Sequence, residues 1–250
     1  MLNVESISPT LTCLTMNRPP ANALTHEMIS GLADKFAELG NADQPPAIIL
    51  TGAGDRFFCA GGDIREVTDN PEVAIPRMHS FHRMLVELEG YKAPALCAVN
   101  GYAVGGAMEL ILNADYVVSS ATAQFGFPEI NHGLLPAAKG MRKTVERLGR
   151  RMAERLLYSG EIIPAERALE IGLVDEVVAA ADLQDCAQEK AEAMRSKDMK
   201  LFWAIKRTFN DASLMTDDEL EQRTVEDMKM YMANAETNSA REKFLKRKAD

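Results

Sequence analysis

The sequence lacks any long hydrophobic run. No apolar stretch among its 250 residues approaches the roughly 20 residues that a helix needs to span a bilayer. The N-terminus also lacks the basic start and the apolar stretch that are typical of a secretory signal. We therefore expect a soluble, cytoplasmic protein that does not bind a membrane.

Cysteine is scarce, and its distribution argues against a disulfide framework. The four cysteines, Cys13, Cys59, Cys97 and Cys186, are widely spaced, form no CxxC pair and mostly lie beside apolar residues. This pattern is typical of buried, reduced thiols rather than of disulfides or of a zinc site. We predict neither a disulfide nor a bound metal.

The chain also lacks an excess of basic residues. Its 28 lysines and arginines are outnumbered by 37 aspartates and glutamates, which gives a formal net charge of −9 at pH 7. Because an acidic surface repels polyanions, we expect no nucleic-acid partner. A phosphorylated small molecule would require a local basic pocket.

What the sequence does contain is a regular alternation of apolar patterns, with 46% hydrophobic residues overall. Helical periodicity between the strands predicts a first helix capped by Thr25 and an apolar helix over 107–114. This alternation predicts an α/β fold over about the first 180 residues, and the remainder is amphipathic and helical. Short runs rich in β-branched residues predict the strands, which are 11–17, 47–54, 95–99, 116–119 and 173–178.

Two glutamates lie in apolar, glycine-rich sequence. Glu109 is the last residue but one of the segment VNGYAVGGAMEL, and Glu129 lies in QFGFPEI. Because a buried carboxylate is costly, two of them indicate a site of proton transfer. The ordinary alternatives are a side chain that reaches solvent from the edge of a helix and an acidic residue that begins a helix after Pro128.

Two glycine pairs accompany these glutamates. Gly105-Gly106 precedes the predicted apolar helix, so the N–H of Gly106 is expected at a helix N-terminus, on the same face as Glu109 three residues later. Gly61-Gly62 permits a close approach of the backbone to a ligand. Two N–H groups aimed at one oxygen stabilise an enolate, whereas isolated glycine pairs are ordinarily simple turns.

Five segments together resemble the enoyl-CoA hydratase/isomerase (crotonase) superfamily. The resemblance implies a spiral of ββα units that carries the active site, followed by a helical C-terminal region that drives trimerisation, with trimers that often pair into hexamers. We accordingly divide the chain into a core, 1–190, and an oligomerisation region, 191–250. The segments are NRPPANAL at 17–24, FFCAGGDI at 57–64, APALCAVNGYAVGGAMEL at 93–110, AQFGFPEINHGLLP at 123–136 and EIGLVDEVV at 170–178.

The resemblance also implies a chemistry. The backbone N–H groups of Gly62 and Gly106 would form the oxyanion hole, and Glu109 and Glu129 match the two carboxylates of hydratases. Isomerases often need one glutamate, so the pair favours addition of water to a 2-enoyl-CoA, with Glu109 activating water and Glu129 protonating the α-carbon. An isomerase, a decarboxylase or a thioester hydrolase acting on an acyl-CoA remains open, as does a non-catalytic acyl-CoA-binding scaffold.

The remaining site residues follow from their positions in these segments. Coenzyme A is part of the expected substrate, and the resemblance implies no separate cofactor. The acyl pocket is expected to include His82, His132 and Pro136. The residues expected to bind coenzyme A are Arg18, Ala21, Ala60, Asp63, Ile64, Arg65 and, in the C-terminal tail, Phe244 and Arg247, although that tail also fits a solvated basic end.

The chain departs from the family pattern after Pro136. It reads AAKGMRK over 137–143 where many members carry a glycine-rich PGxGGT stretch, and Ala107 replaces a glycine. Neither change removes a carboxylate or a proposed oxyanion donor. The departures therefore leave the size and shape of the acyl group open.

Overall fold

The computed structural model describes residues 1–136, 139–234, 237–239 and 241–242, with the backbone alone at Ser213. The chain divides into two compact units, Met1–Met194 and Arg195–Asp250. The proposed coenzyme A residues Phe244 and Arg247 lie outside the described residues, as do the first two residues of the segment that departs from the family pattern. The oligomerisation role of the C-terminal region stays a prediction.

The strands and helices of the first unit alternate along the chain. The helices are α1 (His26–Gly40), α2 (Pro71–Glu89), α3 (Gly106–Asn113), α4 (Gly140–Leu148), α5 (Arg150–Ser159), α6 (Ala165–Glu170) and α7 (Leu183–Arg195). The strands are β1 (Leu2–Ser8), β2 (Leu11–Met16), β3 (Ala47–Gly52), β4 (Phe57–Cys59), β5 (Ala95–Val99), β6 (Tyr102–Val104), β7 (Tyr116–Ser120), β8 (Gln124–Gly126), β9 (Ile162–Pro164) and β10 (Glu176–Val178).

Successive strands enter two different sheets. The larger sheet has the order β1-β2-β3-β5-β7-β10 and is parallel except for the β1–β2 pair, while the smaller sheet has the order β4-β6-β8-β9. Each of β3, β5 and β7 is followed by a strand of the smaller sheet, and α2 and α3 lead back to the larger one. This confirms the α/β class and the repeated ββα turn that the resemblance implies.

The larger sheet packs against α7. Residues of its central strands alternate between the face towards α7 and the opposite face. Those on the opposite face, such as Ile48 and Cys97, are buried as well, so these strands are apolar on both faces. One core cluster joins the two elements, with Leu11, Ala47, Ile49, Leu96, Ala98 and Val118 from the sheet and Leu183, Ala187 and Ala191 from the helix.

Local signals in the sequence explain the main boundaries. The hydroxyl of Thr25 accepts the N–H of Met28 at 3.2 Å, which confirms the predicted N-cap of α1. Four of the predicted strands lie within two residues of their expected limits. The fifth begins only at Glu176, because the N–H groups of Leu173 and Val174 turn back to the carbonyl of Ala168.

The cysteines fit the expected pattern of reduced thiols. Cys13, Cys59 and Cys97 are buried, Cys186 is half-buried, and all four are free. Burial raises the pKa of the Cys59 thiol to about 12, so this thiol is inert at neutral pH.

The second unit consists of helices in its described part. Its two long helices are α8 (Met199–Asp211) and α9 (Asp217–Met232), and the second begins with a capping box between Thr216 and Glu219. Ion pairs join the two helices, one of them between Arg223 and Asp211 at 2.5 Å. Across the described ranges, no helix has both the length and the apolar character required to cross a bilayer.

Gly61 allows two loops of the first unit to touch. Its φ of +80° lies in the left-handed region. A Cβ atom at this position would lie 2.6 Å from the carbonyl oxygen of Val104 and 2.9 Å from the backbone nitrogen of Gly106. Only glycine therefore permits the loop after β4 to contact the loop that begins α3.

Replacement of Gly61 by alanine tests this constraint. We expect Gly61→Ala to lower the free energy of unfolding by about 3 kcal/mol or more, because it adds both strain at positive φ and a clash with backbone atoms. Urea denaturation measures the effect. The matched control is Gly31→Ala in α1, where a Cβ meets no atom within 4 Å and where alanine favours the helix by about 0.5–1 kcal/mol. Equal effects of the two substitutions would contradict the proposed constraint.

Candidate active site

One cavity of about 270 Å³ lies between four elements of the first unit. These are the loop after β4, helix α2, the start of α3 and a short 3-10 segment, Pro128–His132. Both candidate glutamates, Glu109 and Glu129, line it, together with Gly62 and Gly106. The structure thus brings together in one cavity the four residues on which the proposed chemistry depends. Ala60, Ile64 and His132 from the predicted binding residues line the same cavity.

The two glycine N–H groups lie close to each other. A Cβ atom on Gly106 would be 3.5 Å from the backbone nitrogen of Gly62. The neighbours of Gly62 hold this loop, because Leu24 donates to the carbonyl of Gly61 at 2.8 Å and accepts from the N–H of Asp63 at 3.0 Å. Among the described residues, neither the Gly62 nor the Gly106 N–H has an acceptor. Two adjacent donors without a protein acceptor are what an oxyanion requires.

Glu109 lies in the first turn of α3 and is completely buried. Its Oε2 atom accepts the backbone N–H of Lys139 at 2.9 Å and that of Gly140 at 2.6 Å. Both donors belong to the N-terminal end of α4, so the partial positive charge of that helix terminus also faces the carboxyl group. These contacts favour the ionised carboxylate and oppose the cost of its burial.

Glu129 lies in the 3-10 segment after β8, in a different environment. Its Oε2 atom is buried and has no hydrogen-bond partner among the described residues. Burial raises the pKa of this carboxyl group above the ordinary value. A Cβ atom on Gly105 would lie 3.1 Å from Oε1 of Glu129, so this side chain is next to the glycine pair. The two glutamates therefore differ: Glu109 accepts two backbone N–H groups at a helix terminus, whereas burial raises the pKa of Glu129.

Three of the predicted coenzyme A residues form an ion-pair cluster outside the cavity lining. The side chain of Asp63 is only 5% exposed and lies 2.7 Å from Arg65 and 2.8 Å from Arg18. The hydrogen bond from Arg65 holds the pKa of Asp63 well below its usual range. Arg65 is 69% exposed and remains accessible to an anionic ligand. Ala21, another of the predicted coenzyme A residues, lies next to the cavity-lining Ala60, because its backbone carbonyl accepts the N–H of Ala60 at 3.0 Å.

The structure corrects two expectations for the acyl pocket. His82 is exposed on α2 and does not line the cavity, because Phe81, its neighbour on the helix, is the residue that turns inward. Pro136 lines a separate apolar groove with Met141 of α4. Leu134 and Leu135, from the same motif as Pro136, line both this groove and the cavity.

Sequence reasoning missed other contributors. Met78 and Phe81 line the cavity, and their spacing of three residues, which places them on one face of α2, is a usable signal. Arg77 also lines it, but a cation on an amphipathic helix normally indicates a solvent-exposed face. The donors from Lys139 and Gly140 are backbone N–H groups, which cannot be predicted from the type of residue.

Nowhere in the described ranges do three His, Cys, Asp or Glu side chains come close enough to hold a metal ion.

Burial of Glu129 has a consequence for stability. Since the folded-state pKa of Glu129 is raised, ionisation of this side chain destabilises the folded protein at neutral pH. We expect Glu129→Gln to raise the free energy of unfolding by about 1 kcal/mol at pH 7. The gain should shrink as the pH falls from the raised pKa of the folded state towards the ordinary pKa of a glutamate, and it should be absent below that value, where the wild-type side chain is protonated in both states.

Urea denaturation between pH 4 and pH 8 measures this dependence. Glu170→Gln provides the control, since Glu170 is 63% exposed and pairs with Arg167 at the surface. A gain for Glu129→Gln that does not vary with pH would contradict the stated cause.

Comparisons with known proteins agree with this geometry. The family model described as enoyl-CoA hydratase/isomerase matches residues 6–249. A short-chain-enoyl-CoA hydratase from Clostridium acetobutylicum is 34% identical over 73% of this chain and 71% of that protein. A carnitinyl-CoA dehydratase from Proteus mirabilis is 30% identical over 82% of this chain and 79% of that protein.

A solved structure gives the same result for the fold. The crystal structure of an enoyl-CoA hydratase from Bacillus anthracis superposes with a TM-score of 0.91 at 25% identity, covering 98% of this chain and 96% of that one. Sequence and fold thus lead to one conclusion: the chain belongs to the enoyl-CoA hydratase/isomerase family.

Proposed function

We propose that this protein is an enoyl-CoA hydratase, which adds water across the 2,3 double bond of a 2-enoyl-CoA thioester to give a 3-hydroxyacyl-CoA. The observation that carries the proposal is the unlike environment of two carboxyl groups in one cavity. Glu109 receives two backbone N–H bonds, whereas the pKa of Glu129 is raised by burial. Such unlike environments support Glu109 as the base and Glu129 as the acid.

In the proposed reaction, the Glu109 carboxylate removes a proton from a water molecule as the water oxygen bonds to the β-carbon. The π electrons of the double bond move towards the thioester, so negative charge develops on its oxygen. The protonated carboxyl group of Glu129 then donates its proton to the α-carbon. The thioester carbonyl is restored, and water has been added as a hydroxyl group and a hydrogen.

The developing charge on the thioester oxygen needs donors that are already in place. In the proposed complex, the N–H groups of Gly62 and Gly106 bind this oxygen. A preorganised donor of this kind is typically worth a factor of about 10²–10³ in rate. After turnover Glu109 carries a proton and Glu129 has lost one, and exchange with solvent through the open cavity restores the starting state.

The coenzyme A moiety is proposed to bind beside Ile64 and Arg65. Ile64 lines the cavity, and the next residue, Arg65, has an exposed guanidinium group that Asp63 holds in position. Arginine is well suited to phosphate groups because its guanidinium presents several donors in a fixed plane. No cofactor beyond the coenzyme A of the substrate is part of the proposal.

A non-catalytic acyl-CoA scaffold is the alternative from another functional class. Two carboxyl groups in an apolar cavity would give a scaffold no benefit, because apolar side chains of similar size would generally stabilise the fold at least as well. An isomerase would use the same oxyanion hole, but it transfers a proton within the substrate and does not need a second group to activate water.

Products from a panel of thioesters distinguish these activities. The protein is incubated with 2-enoyl-CoA and 3-enoyl-CoA substrates, and the products are identified by mass and chromatography. A gain of one water supports the hydratase. A shifted double bond at unchanged mass indicates an isomerase, release of free coenzyme A indicates a hydrolase, and binding without turnover indicates a scaffold.

Substitution of either glutamate tests the assigned roles. We expect Glu109→Gln and Glu129→Gln each to lower kcat for hydration by about 10²–10⁴-fold, since each removes one proton-transfer group and keeps the side-chain shape. Circular dichroism confirms that the variants are folded, and Glu170→Gln serves as an exposed control. Turnover close to wild type in either site variant would refute its role.

The proposed coenzyme A contact predicts a different kinetic effect. We expect Arg65→Ala to raise KM several-fold with little change in kcat, because it removes an interaction made equally in the ground state and the transition state. Steady-state kinetics with one enoyl-CoA substrate measure both constants. Arg155→Ala, another exposed and paired arginine, is the control, and an unchanged KM for Arg65→Ala would count against the contact.

A further inference from the structure

We propose that Arg77 is a further electrostatic contributor to the site, whose guanidinium group stabilises the negative charge that develops on the thioester oxygen beside Gly62. The inference rests on the proposed formation of a thioester enolate in this cavity. It assigns a role to the one cavity-lining arginine of the described residues, a residue that the proton-transfer steps do not use.

The position of Arg77 is the first support. A Cβ atom on Gly62 would lie 3.2 Å from one terminal guanidinium nitrogen of Arg77 and 3.7 Å from the other. The guanidinium is therefore packed against the loop that supplies one of the two proposed oxyanion donors. Its side chain is 22% exposed, so solvent only partly screens its charge.

The orientation of Arg77 is the second support. Its Nε atom donates to Glu66 at 3.0 Å, and one terminal nitrogen donates to the carbonyl of Leu24 at 2.9 Å. The compensating carboxylate thus lies at the Nε side of the guanidinium, while both terminal nitrogens lie near Gly62. The ion pair presents its positive end to Gly62, which supplies one of the two proposed oxyanion donors.

The same contacts fix the guanidinium before a substrate binds. The carboxylate of Glu66 also accepts the N–H of His26 at 2.8 Å, and the carbonyl of Leu24 also accepts the N–H of Asp63. Glu66 is thereby tied to the start of α1, and Leu24 to the loop of Gly62. Arg77 cannot turn away without losing its hydrogen bonds to these two residues. A charge that is fixed in advance stabilises a transition state without reorganisation.

Charge development at the thioester can be measured without turnover. Acetoacetyl-CoA has an acidic C–H group between two carbonyls, and its enolate absorbs in the near ultraviolet. The pH at which the bound ligand ionises reports how strongly the site stabilises an enolate. Butyryl-CoA, which has the same thioester and does not ionise in this pH range, reports binding alone. The other titratable groups facing the ligand are Glu109, Glu129 and His132, and they are unchanged in every variant.

Three variants separate charge from structure. We expect Arg77→Gln to raise the apparent pKa of bound acetoacetyl-CoA by about one unit, a tenfold loss in the ionisation constant, as a nearby charge partly compensated by Glu66 should do. Arg77→Lys keeps the charge and should lose less than half of this effect. Arg83→Gln is the matched control, since Arg83 lies on the same helix and pairs with Asp34 away from the cavity. Butyryl-CoA should bind every variant within about threefold of wild type.

Several results would overturn the inference. An unchanged pKa of the bound ligand in Arg77→Gln would remove the electrostatic role. An equal effect in Arg77→Lys would show that the hydrogen bonds, and not the charge, are responsible. A parallel loss of butyryl-CoA binding would indicate general damage to the loop. If wild-type protein fails to ionise acetoacetyl-CoA at all, the proposed function and this inference fail together, whereas ionisation that is insensitive to Arg77 contradicts the inference alone.

Discussion

The contact between two glycine-containing loops is the constraint on which the candidate site depends. Gly61 meets the carbonyl of Val104 and the nitrogen of Gly106 at distances that leave no room for a side chain. This contact brings the donor of Gly62, which follows a strand of the smaller sheet, next to the donor of Gly106 at the start of α3. Neither loop forms an oxyanion site alone, so the alternation of strands between two sheets is a requirement of the proposed chemistry.

Around that contact, the fold gives two chemically identical side chains different surroundings. The N-terminal end of α4 faces Glu109, whereas Glu129 is largely removed from solvent and one of its oxygens has no hydrogen-bond partner in the described part of the chain. The segment that departs from the family pattern takes part in this difference, because Lys139 and Gly140 supply the donors to Glu109. The side chains of Lys139 and Lys143 both pair with Glu89 at the end of α2. The departing segment thus places two basic side chains beside the site and supplies two backbone donors to Glu109.

Much of this arrangement could be predicted from sequence, for reasons that differ between elements. Strands β2, β3, β5 and β7 of the larger sheet are apolar runs of five or six residues, which makes them readable, and Thr25 is a local cap. Strand β1 is mostly exposed and has no apolar run, so the sequence analysis did not predict it. The strands of the smaller sheet have three residues each, which is too short for any periodicity. Glu109 and Glu129 could be found because a carboxyl group in apolar sequence is costly. Arg77 could not be found in this way, because the orientation of its guanidinium group depends on contacts with Leu24 and Glu66, which lie elsewhere in the sequence.

The errors at the acyl end have a physical cause as well. On α2, Phe81 and His82 are adjacent, and a rotation of about 100° between successive residues decides which one faces the cavity. In the segment after Glu129, Leu134 and Leu135 line both the cavity and the neighbouring groove, whereas Pro136 lines the groove alone. A proton-transfer group must be one of a few titratable side chains, and here each lies in a short apolar or glycine-rich segment, so it can be identified from its own sequence context. The residues that contact an acyl chain are set by packing between elements, and only the assembled fold determines them.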